Sequence, residues 1–120
     1  MILTRDQILN ASDIGIEKVS VPEWGGEIYV KAMSLGDRNK CSLCLFDTDE
    51  KGEQIAKKDV DYNTVMLAFT LCDKKGKLIF SEEDIEAISN KSTKATDRCL
   101  EVAKRLNNFT EEEVDNAEKK

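Results

Sequence analysis

From Val65 to Cys72 the chain runs Val-Met-Leu-Ala-Phe-Thr-Leu-Cys, with Thr70 alone interrupting the apolar series. A helix of this composition has no polar stripe and must be covered on most sides, so the segment is read as the central helix. Asp73-Lys74-Lys75-Gly76 follows, with Asp at the first and Gly at the fourth position of a turn. Leu78-Ile79-Phe80 is long enough only for a short strand or an extended piece. Ser81, with Asp84 three residues on, predicts an N-cap and an acidic first turn, and Ile85 and Ile88 then face inward. Helix, turn, extended piece and acid-capped helix form the unit around which the chain is organised.

Upstream, Thr4 and Gln7 fit a capping box, which predicts a short helix from about Arg5 to Asn10 with Ile8 and Leu9 as its small apolar face. From Glu17 the period changes to two. Val19 and Val21 alternate with Lys18 and Ser20, and Ile28, Val30 and Ala32 alternate with Tyr29, Lys31 and Met33. Two strands joined through Glu23-Trp24-Gly25-Gly26 make a hairpin, in which Pro22 belongs at a strand end or edge because it lacks a donor. Ser34 predicts a helix to about Phe46, with Cys41, Cys44 and Leu45 on one face and Leu43 and Phe46 widening it. Ser92 or Thr93 caps a further helix carrying Ala95, Cys99, Val102 and Leu106 on one face, which Asn107-Asn108 ends. Thr110 with Glu113 opens a last segment whose only apolar residues are Val114 and Ala117, too few to hold a helix alone.

These elements predict a mainly α fold, a small helical domain with an N-terminal β-hairpin (α+β). One domain, 1–109, precedes an acidic C-terminal tail, 110–120. Inside the domain, residues 47–59 carry eight charges in thirteen positions. Their one isoleucine is too little apolar surface to offset ordering the backbone, so a mobile loop is expected there. At 40% apolar and 35% charged residues, the 120-residue chain is too apolar for disorder and has no run near the ~20 residues of a membrane span. Arg5 and Asp6 within its first residues are unlike a secretory signal, and the expected location is the cytoplasm. A formal charge of −6, with Lys and Arg interspersed among acids, argues against a nucleic-acid partner.

Little here suits catalysis. The chain has no His, which removes the commonest general base, and no phosphate-cradling Gly loop or Ser elbow is present. Cys41-Ser42-Leu43-Cys44 has the i, i+3 spacing of zinc and thiol redox sites. A zinc site would also need Cys72 and Cys99, each within an apolar helical face, and a redox pair belongs at a helix N-terminus rather than in its second half. The four thiols are therefore read as reduced core residues, without metal or cofactor. Glu82-Glu83-Asp84 is placed where helix starts collect acids. Trp24, beside Gly25-Gly26, either covers the edge of the core or is presented to a partner.

The succession Pro22-Glu23-Trp24-Gly25-Gly26-Glu27-Ile28-Tyr29-Val30, Asp37-Arg38-Asn39, Leu71-Cys72-Asp73, Gly76, Leu78-Ile79-Phe80, Glu83-Asp84-Ile85, Ile88 and Leu106-Asn107 resembles the small tail assembly chaperones of long, flexible-tailed bacteriophages and their prophages. The likeness runs from about Val21 to Asn108 in order and spacing. It departs at Asn39, where an acid is common, and in the charged segment 47–59. What the resemblance implies is a non-enzymatic protein of the host cytoplasm, absent from the mature virion. It would coat the apolar tape measure protein, keep it soluble, and help tail tube subunits assemble around it. It would also self-associate into a spiral or ring-like oligomer, and many such proteins are made in two lengths by frameshifting. Protein-binding candidates are then Trp24, Tyr29, Leu43 and Phe46. Two other readings compete: a cytoplasmic acidic adaptor whose tail mimics nucleic acid, and a small thiol or zinc enzyme.

Overall fold

The computed structural model describes residues 1–57 and 60–108, so the expected tail 110–120 lies outside the described residues. Helix α1 spans Arg5–Asn10, and Thr4 and Gln7 close the reciprocal capping box: each side chain takes up the other's backbone N–H. Strands β1 (Ile16–Val21) and β2 (Gly26–Lys31) pair antiparallel, with Val19 opposite Ile28 and Lys18 opposite Tyr29. Their connection is a single 3-10 turn, Pro22–Trp24, closed by Gly25 at φ 76°, a left-handed conformation that glycine adopts without steric cost. Alternation places Val19, Val21, Ile28 and Val30 on the core face and Lys18 and Tyr29 on the other.

Helix α2 (Leu35–Leu45) starts at Ser34, whose hydroxyl accepts the Asp37 N–H, and buries Cys41 and Leu45. Lys31 at the end of β2 reaches Asp37 in that first turn at 3.1 Å, a half-buried ion pair fixing the strand-to-helix corner. The charged segment expected as a mobile loop carries a hairpin: β3 (Phe46–Thr48) pairs antiparallel with β4 (Gln54–Ala56). Its turn is held by Asp49, whose carboxylate accepts the N–H groups of Lys51 and Glu53. Such side-chain to backbone bonds order a turn without apolar burial, which is why composition alone gives no sign of the hairpin.

The central apolar run is not one helix. Helix α3 covers Tyr62–Ala68 behind an Asp61 cap. The Phe69 N–H then bonds to both Val65 and Met66 carbonyls, Thr70 N–H bonds to Leu67, and the Thr70 hydroxyl donates back to Met66. This tightened last turn ends the helix, and Leu71–Cys72 becomes β5, pairing antiparallel with Tyr29–Val30. The first sheet therefore has three strands in the order β1-β2-β5, and the second two. These sheets overturn the mainly α expectation: with about 20% of residues in strands, within the ordinary globular range, the fold is α+β. An apolar run suits a buried strand as well as a buried helix, and here pairing with β2 decides the last two residues.

Beyond β5 the Asp73–Gly76 turn forms as the sequence predicts, with Gly76 at φ 86° and its N–H on the Asp73 carbonyl. Leu78 bridges back to Cys72. Ser81 and Asp84 form a capping box over a 3-10 turn that leads into α4 (Ile85–Ile88). Ser92 caps α5 (Thr93–Leu106), which buries Ala95, Cys99, Leu100 and Ala103. Val102 and Leu106, placed on the inner face by the sequence, are half-buried at its margin. Helix α5 lies across the core face of the hairpin, and Arg98 and Arg105 pair with Glu23 and Glu17. The core of α3, β5 and α5 closes over Val21 and Val30.

The Asp73 carboxylate accepts the N–H groups of Lys77 and Lys75, which hold its pKa below the ordinary carboxylate value. A group with a depressed folded pKa stabilises the fold above the unfolded value and loses that contribution as pH falls through the folded one. The stability difference between wild type and Asp73→Ala should thus be full at neutral pH and shrink below about pH 4. Urea titrations across that range check it, and a difference that grows in acid would refute it.

Candidate protein-binding surface

The four sequence candidates do not converge. Trp24, at the end of the hairpin turn, is 39% exposed. Its ring forms one wall of an apolar cleft of about 130 Å³ with Leu71, Phe80, Ala87, Ile88 and Lys91. The cleft brings together the hairpin tip, the floor of β5 and one side of α4, so Trp24 both covers the core's edge and stays open to solvent. Tyr29 stands half-buried between Lys18 and Cys72 on the sheet face opposite the core. Leu43 projects from the outer side of α2, 71% exposed. Phe46 is half-buried and packs on the core. With Leu45, Ala56, Val60 and Tyr62 it lines a second cleft of about 120 Å³.

Phe80, Ala87, Ile88 and Lys91 had no sequence signal linking them to Trp24, because they lie more than fifty residues away along the chain. The N-terminal segment was read only as a short helix with a small apolar face. The structure leaves every residue from Met1 to Ile16 exposed. The legible signal was Ile8 and Leu9 on a helix too short to bring them to a core.

Burial governs the thiols. It pushes Cys41 up to about 12, with adjacent Cys44 adding and Arg38 opposing. It pushes Cys99 up to about 11 against the pull of Arg98. Cys44 is also raised, by burial and then by Glu82, and Cys72 by burial. Thiols held protonated in this way are poor nucleophiles and poor metal ligands at neutral pH. All four are free, and no cluster of His, Cys, Asp or Glu among the described residues has the arrangement to hold a metal ion. No described helix is long and apolar enough to cross a membrane.

Trp24 and Leu43 thus leave apolar surface exposed on different parts of the fold. A family model described as phage tail assembly chaperone matches residues 4–120. The chain belongs to the phage tail assembly chaperone family. A search of curated proteins finds no match. Among solved structures the fold is similar to that of the bacteriophage HK97 tail assembly chaperone, with TM-score 0.55 and 20% identity over 88% of this chain and 95% of that one. At that identity the likeness speaks for the fold alone.

Proposed function

We propose that this chaperone acts in the host cytoplasm, where it coats an extended apolar stretch of the tape measure protein, keeps it soluble, and helps tail tube subunits assemble around it. It leaves before the virion is mature. The role is binding without catalysis, and it includes self-association into a spiral or ring-like oligomer. The observation that carries the reading is apolar surface left over once the core is filled. Trp24 walls an open cleft, and Leu43 is uncovered on a chain whose net charge of −6 keeps it soluble. Trp24, Tyr29, Leu43 and Phe46 are the binding residues in this reading. Because they lie on different faces, one copy could meet both a neighbour and the coated segment.

Co-expression with the tape measure protein tests it. Wild type should raise the soluble yield of the tape measure and co-purify with it in many copies, surviving about 0.5 M salt, as apolar contacts do. Trp24→Ala should remain folded and weaken association by a factor of about 30, the equivalent of ~2 kcal/mol for a central aromatic. A monomer that leaves the tape measure insoluble, or binding that vanishes at about 0.3 M salt, would overturn the chaperone mechanism and favour an acidic adaptor.

A further inference from the structure

The most conspicuous unpartnered feature is the segment before the hairpin. Of the twelve large hydrophobic residues exposed among the described residues, six lie before the hairpin, Met1, Ile2, Leu3, Ile8, Leu9 and Ile14, and a seventh, Ile16, opens β1. Helix α1 contributes nothing to the core and has no buried residue. It is nevertheless built as a helix, with a reciprocal capping box that fixes which side chains share a face. A six-residue helix with no buried residue is marginal in water, and its capped apolar face is open to a partner.

The geometry points to a second copy of this chain as what covers it: the arm of one molecule seats Leu9 in the Trp24 cleft of the next. Size fits first. A cavity of ~150 Å³ accepts a benzene-sized group, so the cleft's roughly 130 Å³ suits one aliphatic side chain. No arm residue lines this cleft, so each molecule carries an arm and a vacant receptor. Charge fits second. Asp6, which holds an exposed ion pair with Arg5 at 3.0 Å, precedes Leu9 by three residues and shares its face, while Lys91 lines the cleft without an ion-pair partner among the described residues. Inserting Leu9 brings the carboxylate near that ammonium, where its weak exposed pair with Arg5 can be exchanged for one with Lys91. Arg5 and Asp6 are the only charged side chains in the first twelve residues and cancel each other, so α1 approaches a copy that is otherwise acidic without net repulsion between side chains.

Area sets the strength. One aliphatic side chain seated in the cleft buries far less than the roughly 800 Å² per partner of a standard interface. The contact is therefore reversible and concentration-dependent. Arm and cleft are different patches, so the contact is head-to-tail and propagates rather than closing as a two-fold dimer. The proposal rests on the self-association reading above and adds its contact.

Two full-length variants test it, Leu9→Glu in the arm and Ala87→Arg at the cleft. Both positions are exposed, so both variants should melt like wild type. In sedimentation across a concentration series, wild type should form species that grow with concentration. Each variant alone should associate at least tenfold more weakly. Mixed together, they should form a one-to-one complex that grows no further, since the mixture has one working arm and one working cleft. Wild-type association by Leu9→Glu, or a mixture that forms no complex, would overturn the arm-and-cleft contact and leave self-association standing. A wild type that stays monomeric at high concentration would overturn both. Loss of tape measure binding by Leu9→Glu with self-association intact would assign the arm to that partner instead.

Discussion

Leu71→Ala should destabilise the protein by about 2–5 kcal/mol, the cost of deleting a fully enclosed leucine and leaving a cavity. Leu71 is 1% exposed, pairs with Val30 through β5, and floors the Trp24 cleft. Its loss therefore removes apolar contacts on the core side and lets the cleft floor sag. Urea denaturation followed by far-UV circular dichroism checks this, with the midpoint falling and the slope unchanged. A loss under about 1 kcal/mol would mean that the site collapses around alanine and that Leu71 does not hold the core packing described above. Leu43→Ala is the internal control: its side chain is mostly in solvent, and it should change stability by no more than about 0.5 kcal/mol.

Asn107→Ala should cost about 1–3 kcal/mol, the penalty for leaving a buried donor without its partner. Asn107 sits at the end of α5, almost completely buried. Its Oδ1 accepts the Met33 N–H at 2.7 Å, and its Nδ2 donates to the Ala103 carbonyl at 2.8 Å. One side chain thus closes the helix terminus and satisfies the backbone between β2 and α2. Alanine keeps the helix but strands the Met33 N–H. Hydrogen exchange at the Met33 amide should accelerate in the variant together with the loss of global stability. Unchanged protection at Met33 would show that water or a shifted carbonyl replaces the asparagine.

Local chemistry was readable from the sequence, and pairing at a distance was not. The Thr4–Gln7 box, the caps Ser34 and Ser92, the Ser81–Asp84 box and the Asp73–Gly76 turn all formed where spacing predicts them, because each is decided within four residues. The hairpin came through because period two persists on both sides of Gly25-Gly26. β5 was hidden because two apolar residues after a helix carry no strand signature; only Tyr29 and Val30, some forty residues earlier, make them one. β3 and β4 were hidden by charge, since a short hairpin held by Asp49 needs almost no apolar face. The candidate surface divides in the same way. Trp24 could be singled out as a lone aromatic at a turn. Its cleft could not, because Phe80, Ala87, Ile88 and Lys91 meet it only after α4 folds back toward the hairpin tip.

The two arginines of α5 stand seven residues apart, two helical turns on one stripe, and each reaches a glutamate at opposite ends of the first strand: Arg105 to Glu17 at its start, Arg98 to Glu23 just past its end. Each exposed pair is worth little alone, but two fixed points define a line where one would define only a pivot. The hairpin is thus splinted along its length and cannot swivel on α5 without releasing one pair. A partner that grips the Trp24 tip therefore takes hold of a lever about as long as α5, roughly 20 Å. In the chain of copies proposed above, a small change in the angle at that grip would be magnified at the far end of each subunit, so the pitch of the assembly would be set by the stiffness of this splint.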